Sequence, residues 1–218
     1  MGSALDTIKE FLATGGPFMY VNCFSSAVAF ALIIERTIAL FRASLPGSAF
    51  MGQLMKQVRE GQIDRAKKLC AAAPRASLAR VLQAGLSRAN RGEQEVASAL
   101  EEAILEETPL LQKRIAPLWS LANIATLLGL IGTISGLISS FKALGKAAPA
   151  QKAELLSKGI SEAMNNTAFG LSIAVLCIVG HVLLTNRSKA MIEEMELSAM
   201  KLENLLARRA AGEINPAE

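Results

Sequence analysis

GISEAMNNTAFGLSIAVLCIVGHVLLTNR, residues 159–187, poses the central problem of this chain. Between Ala163 and Leu184 there is no Asp, Glu, Lys or Arg. That run is long enough for a helix to cross the hydrocarbon of a bilayer, which takes about 20 apolar residues. Yet its opening turns hold Glu162, Asn165, Asn166 and Thr167. A helix surrounded by lipid gains nothing from an acid, two amides and a hydroxyl, since polar groups without partners are costly in hydrocarbon. The stretch therefore reads as a membrane span whose polar side faces protein or water.

Working outward, two more uncharged runs appear, Phe18–Ile34 and Ile115–Phe141. None of the three alternates with period two, so helices rather than barrel strands are predicted. The fold class follows as an all-α membrane protein with three transmembrane helices, at 17–35, 115–141 and 160–185. Residues 1–16 read as an interfacial amphipathic helix. Ser3 can cap it with Asp6 as acidic partner, and Leu5, Ile8, Phe11 and Leu12 share one face. Residues 36–114 alternate charge with Leu, Val, Ile and Ala at helical spacing, with breaks expected at Pro46-Gly47, Gly61, Pro74 and Asn90-Arg91-Gly92. Residues 142–159 form a short hairpin, and 186–218 a C-terminal helix and tail in which Met191, Met195, Leu202 and Leu205 make one stripe. The second and third spans are predicted to extend into a helical domain outside the membrane. The segment from Glu93 runs on into the second span, with Pro109 at a kink or packed bend.

The totals narrow the function classes. Of 218 residues, 51% are hydrophobic but only 5% aromatic, a mix rich in small residues that suits tightly packed membrane helices. The net charge is only +4, with neither the dense basic stripe nor the stacking aromatics of a nucleic-acid binder. Three dispersed cysteines, Cys23, Cys70 and Cys177, show no metal-ligand spacing and read as reduced structural thiols. Lys9 is offset by Asp6 and Glu10, so a cleavable leader is not expected. No nucleophile–base constellation or phosphate loop points to an enzyme, and no cofactor or metal is expected. No inverted repeat points to a secondary transporter. The large loop and the C-terminal tail share one side of the membrane. Arg36, Arg42, Lys113, Arg114, Arg187 and Lys189 flank the spans there, against Lys9, Lys142, Lys146, Lys152 and Lys158 opposite. The balance leans towards a cytoplasmic loop and tail, with the N-terminus and hairpin on the outer side.

Two polar groups sit inside the apolar runs. In GLIGTISG, Gly129 and Gly136 lie four before and three after Thr133, on one face, with Gly132 beside them. Small residues so spaced, with Gly170 on the third span, allow close helix packing. On the third span Glu162, Asn165 and Asn166 make a polar patch, with Thr167 one residue round. A carboxylate there is a candidate for proton exchange. Structural roles stay open for the same residues. Thr133 can bond the carbonyl four residues back, Glu162 can anchor a helix end, and Asn165 and Asn166 can join helices in an oligomer. His181, near the other end of the span, reads as an interfacial histidine.

Taken together, GLIGTISG and GISEAMNNTAFGL resemble the TolQ/ExbB/MotA proton-channel family, whose TolQ/ExbB branch reads close to GLLGTVWG and GIAEALLATAIGL at these places. EGQIDRAKKLC and LARVLQAGLSRA resemble that branch's cytoplasmic helices. Three spans with one long loop place the chain in this branch rather than with the four-span MotA proteins. The resemblance implies a bacterial inner-membrane stator subunit, a homopentamer around a central pore. Spans two and three would line the pore and span one would pack outside. The pore would hold a dimer of a single-span partner similar to TolR, ExbD or MotB, which carries the proton-accepting aspartate. Thr133 and Thr167 would be pore hydroxyls facing that aspartate, and Glu162 the intramembrane glutamate, with Asn165 and Asn166 beside the proton pathway. The driven machine would be outer-membrane uptake, envelope maintenance or gliding motility, and protons rather than sodium the coupling ion. A non-conducting membrane scaffold is the alternative. Three departures stand out. Thr126 and Leu176 occupy positions where the family often has proline, Asn165 and Asn166 replace apolar residues, and the hairpin region carries four lysines.

Overall fold

The computed structural model describes residues 16–145 and 148–212, so the N-terminal amphipathic helix expected at 1–16 lies almost wholly outside the described residues, as does Lys146 of the hairpin. The described chain is helical throughout apart from short turns. Its helices are α1 (Gly16–Ala43), α2 (Gly47–Arg59), α3 (Ile63–Ala71), α4 (Ser77–Ser87), α5 (Glu93–Gln112), α6 (Ala116–Leu144) and α7 (Lys152–Ala210), with a 3-10 turn at Pro149–Gln151 before α7. Three stretches, containing α1, α6 and α7, are long and apolar enough to cross a membrane. The turns at 44–46, 60–62, 72–76 and 88–92 coincide with the breaks expected from Pro and Gly. Gly61 and Gly92 there take φ of +79° and +102°, a region open to glycine and strained for other residues.

The helices outrun the spans read from the sequence. α1 continues past Glu35 to Ala43, and α7 begins at Lys152, so the connection between α6 and α7 is shorter than the 142–159 hairpin expected. A third difference concerns the approach to the second span. It is not one helix with α5: the chain breaks at 113–115, where Arg114 has a φ of 60°. Pro109 is accommodated inside α5, and Pro117 sits in the first turn of α6. A first-turn proline has no amide hydrogen to waste and already holds helical φ, so Pro117 is the start signal. A non-glycine residue at positive φ is uncommon. Here the Arg114 guanidinium lies 3.3 Å from the Glu35 carboxylate, and the Arg36 guanidinium donates to the Lys113 carbonyl at 2.9 Å.

The chain divides into two compact units. One comprises residues up to Glu35 and Arg114–Leu183, and holds the apolar parts of α1, α6 and α7. Its centre is built mostly from small residues: Ala29, Ala122, Ala125, Ala174 and Cys177 are buried together with Ile173, flanked by Leu121 and Phe169. Many of its large side chains point outward, among them Phe24, Leu127, Leu130, Phe141, Val175 and Leu183, while Met19, Leu118 and Ile173 are buried. That is the reverse of a water-soluble core, and it is what a lipid-surrounded bundle requires.

The other unit comprises Arg36–Lys113 and the chain from Leu184 on. It has an ordinary apolar interior. Leu54, Val58, Leu82, Leu86, Leu100 and Leu111 are buried, and so are Met191, Met195, Leu202 and Leu205, the stripe expected from sequence. α3 packs on α2 and α4, and α4 on α5. Cys70 is buried there, and the loss of hydration pushes its thiol up to about 12. Across α4 and α5 the Arg80 guanidinium grips Glu107, with Nε donating to Oε1 at 2.5 Å and Nη2 donating to Oε2. The hydrogen bonds it donates to Glu107, the largest influence on it, raise the Arg80 pKa above the ordinary guanidinium value. Arg80 Nη1 also donates to the Pro74 carbonyl at 3.0 Å.

Candidate functional site

Where α6 crosses α7 the two backbones nearly touch, because the residues at the crossing have no side chain to hold them apart. A Cβ added at Gly129 would lie 3.1 Å from the Asn166 carbonyl oxygen and 3.3 Å from the Cα atoms of Thr167 and Gly170. One added at Gly170 would lie 2.6 Å from the Ala125 carbonyl oxygen and 3.0 Å from the Gly129 Cα. Gly132 faces the Asn166 side chain at 3.0 Å, and Gly136 faces the Ala163 Cβ at 3.3 Å. The four glycines singled out in the sequence thus all lie along this contact.

Close approach brings the two threonines together. The hydroxyls of Thr133 and Thr167 are in hydrogen-bond contact with each other. The Thr133 hydroxyl is also 3.1 Å from the Gly129 carbonyl and 3.2 Å from the Ala163 carbonyl; the Thr167 hydroxyl is 3.3 Å from the Gly129 carbonyl. Each hydroxyl has one proton to donate and can accept from two directions. Two arrangements therefore satisfy the pair. Thr133 donates to Thr167, which donates to the Gly129 carbonyl; or Thr167 donates to Thr133, which donates to the Gly129 or Ala163 carbonyl. The pair can reverse its polarity by rotating two hydroxyls, without moving backbone. Neither group ionises in the physiological range, so its chemistry is that of an orientable donor–acceptor.

The other predicted residues lie around this pair. Asn166 is buried (4% exposed) against Gly132, inside the helix crossing. Glu162 and Asn165 are half-buried. Both line a recess of about 470 Å³ along α7 that also includes Glu154, Ser157, Lys158 and Ser161. His181 belongs to the other end of the membrane unit. Its Nδ1 is 3.2 Å from the Ile115 carbonyl, and its ring lies 5.9 Å from that of Trp119. A carbonyl can only accept, so Nδ1 carries the hydrogen and ties α7 to the start of α6. Thr126, at one of the expected proline positions, donates back to the Ala122 carbonyl at 3.0 Å. Among the described residues no group of His, Cys, Asp or Glu could hold a metal ion.

One polar residue escaped the sequence reading. Asn22 of α1 is fully buried, and its amide nitrogen lies 3.3 Å from the Cβ position of Gly170. Its amide makes no hydrogen bond among the described residues. The signal was a lone amide in an otherwise apolar run, the same kind of signal that singled out Asn165 and Asn166.

Residues 73–197 match the sequence profile of the MotA/TolQ/ExbB proton channel family. An ExbB-like biopolymer transport protein of Synechocystis sp. is 31% identical over 155 residues, covering 71% of this chain and 73% of that protein. An ExbB homologue of Methanothermobacter thermautotrophicus is 25% identical over 88% of this chain and 67% of its own length. The Tol-Pal system protein TolQ of Haemophilus influenzae is 29% identical over 52% of this chain and 50% of its own length. With its three membrane-crossing helices and a glycine-backed threonine pair where the motifs stand, the chain belongs to the TolQ/ExbB branch of the MotA/TolQ/ExbB proton channel family.

Proposed function

We propose that this chain is the channel-forming stator subunit of an inner-membrane motor that converts proton motive force into mechanical work on the cell envelope. It acts as a homopentamer enclosing a dimer of a single-span partner of the TolR/ExbD kind, which supplies a membrane aspartate. The N-terminus and hairpin face the periplasm, and the α2–α5 unit and the tail face the cytoplasm. Outer-membrane transport, envelope maintenance and gliding are the forms that work can take.

The observation that carries this reading is the reversible hydroxyl pair of Thr133 and Thr167, held in an apolar unit by glycines. A carboxyl that moves past this pair can be met in either state. The charged form accepts a hydrogen bond from whichever hydroxyl is free to donate, and the neutral form donates one. A proton crossing the membrane releases about 2.3 kcal/mol per 100 mV. The protein's task is to let the carboxyl move only when neutral, since a bare charge on an apolar wall is costly. Glu162 stands on the same helix, five residues before Thr167, as the group that passes protons to or from the aqueous side.

Replacing Thr167 with valine keeps shape and removes the hydroxyl. A hydrogen bond to a charged group contributes about 1.5–3 kcal/mol, so proton-driven output falls roughly ten- to a hundredfold with the complex still assembled. Unchanged output from an intact complex removes Thr167 from the path. A second reading, a non-conducting scaffold, draws on the burial of Asn166 inside the helix crossing. It expects Glu162→Gln to weaken the oligomer while proton flux through the surviving complexes stays the same.

A further inference from the structure

Between the second and third uncharged runs, residues 142–161 carry four lysines, Lys142, Lys146, Lys152 and Lys158, against one carboxylate, Glu154. Lys142, near the end of α6, and Lys152 and Lys158, in the first two turns of α7, are all exposed. Among the described residues none of these three is paired with a carboxylate. Lysines in a short loop favour the cytoplasmic side of a membrane, so four of them weigh against an outer hairpin unless something offsets them. The threonine pair and its surroundings make no use of this cluster.

Depth and company say what meets these lysines. Lys142 directly follows Phe141, the last residue of the second uncharged run, and Lys158 lies five residues before the third begins at Ala163. At a rise of 1.5 Å per residue, that puts Lys158 about 7 Å beyond the apolar run, which is the depth of the headgroup layer. Lys152 is about 9 Å further out, roughly one Debye length from that layer. Phe141, Leu155 and Ile160 stand exposed among the lysines. On α7, Lys152, Leu155 and Lys158 recur every three residues, so ammonium and apolar groups share one side of the helix. A phospholipid layer answers both chemistries at this depth, with acyl chains for the apolar groups and phosphate for the ammonium groups. A folded partner would have to displace lipid to reach them. A zwitterionic headgroup carries its own cation beside the phosphate; an anionic one leaves its charge for the protein to neutralise.

We infer that Lys142, Lys152 and Lys158 form a docking surface for anionic phospholipid headgroups, which holds the turn between α6 and α7 at the membrane surface. The inference goes beyond the proton-coupled reading and needs neither a pentamer nor proton flow, so a silent Thr167→Val leaves it intact. A lysine close to an anionic surface favours it roughly fivefold, and the contributions of several multiply.

The full chain, purified in detergent, is incubated with equal amounts of phosphatidylglycerol and phosphatidylcholine of the same acyl chains and repurified by gel filtration, and its bound lipid is counted. Phosphatidylglycerol is retained preferentially. Combining Lys142→Gln, Lys152→Gln and Lys158→Gln lowers that preference roughly tenfold or more, whereas arginine at the same three positions preserves it. Lys56→Gln, Lys67→Gln and Lys68→Gln together remove the same charge from the other unit and leave the preference unchanged. In the unaltered chain, raising salt from about 0.05 to about 0.5 M weakens the preference, because exposed charges are screened; this reading needs no substitution. Equal retention of the two lipids by the unaltered chain overturns the inference. So does a preference that ignores salt, one that survives the first glutamine set, or one lost equally with the second. If the first glutamine set keeps its lipid preference but no longer co-purifies with a single-span partner, the lysines serve a protein surface and the inference falls.

Discussion

Gly170→Ala will loosen the membrane unit although it adds one methyl group. The new Cβ would stand 2.6 Å from the Ala125 carbonyl oxygen and 3.0 Å from the Gly129 Cα, both backbone atoms that no rotamer change can move. α6 and α7 must part by several tenths of an ångström. Overpacking of this kind costs about 1–3 kcal/mol, and the gain in helix propensity on replacing glycine, about 1 kcal/mol, offsets only part of it. The threonine pair lies one turn away, so the same separation lengthens the contact between Thr167 and the Gly129 carbonyl. Lower resistance to unfolding in detergent is expected, together with reduced proton-driven output. Gly170→Leu takes both effects further. Gly52→Ala is the matched control. That Cβ meets nothing within 4 Å, and the change falls inside α2, so it should be neutral or stabilise by up to about 1 kcal/mol. Equal behaviour of the two alanine variants would show that the glycine crossing does not hold the helices.

The second large effect is expected outside the membrane-crossing helices. Arg80→Ala strands the Glu107 carboxylate, which is 7% exposed, without its bidentate partner. Removing one member of a buried ion pair costs about 3–5 kcal/mol, and the half-exposed Arg80 side chain places this pair near the lower bound. Chemical denaturation of the full chain should show the α2–α5 unit unfolding at markedly lower denaturant. Glu107→Gln keeps a hydrogen-bond acceptor and should cost less than Arg80→Ala. Arg80→Ala combined with Glu107→Leu should recover much of the loss, because the uncompensated charge is gone. If Arg80→Ala alone is neutral, the pair is ornamental.

Much of this molecule can be read from its residues, and the reasons are physical. Runs without charge are unambiguous because hydrocarbon admits so little else, and the turns at Gly61 and Gly92 need a residue free to take positive φ. The threonine–glycine face of α6 and the polar patch of α7 were visible as exceptions to those runs. What escaped detection depends on partners distant in sequence. The Arg80–Glu107 pair joins residues 27 apart, and nothing in either helix alone marks them among many similar charges. Asn22 gains meaning only from the glycine it abuts. The break at Arg114 is hidden in the sequence because the charged pattern runs on through it and Pro109 competes with Pro117 as the place of the bend.

The main-chain contact between α6 and α7 also bears on temperature. Leu82, Leu86 and Leu100 bury side chains whose cohesion comes from expelling water, a force that fades on cooling. Gly129 and Gly170 meet without that contribution: lipid is as apolar as the contact itself, so dispersion between backbones holds them. Chilling should therefore weaken the leucine-cored unit while leaving the glycine crossing almost untouched, and most of the heat-capacity change on unfolding should belong to the former.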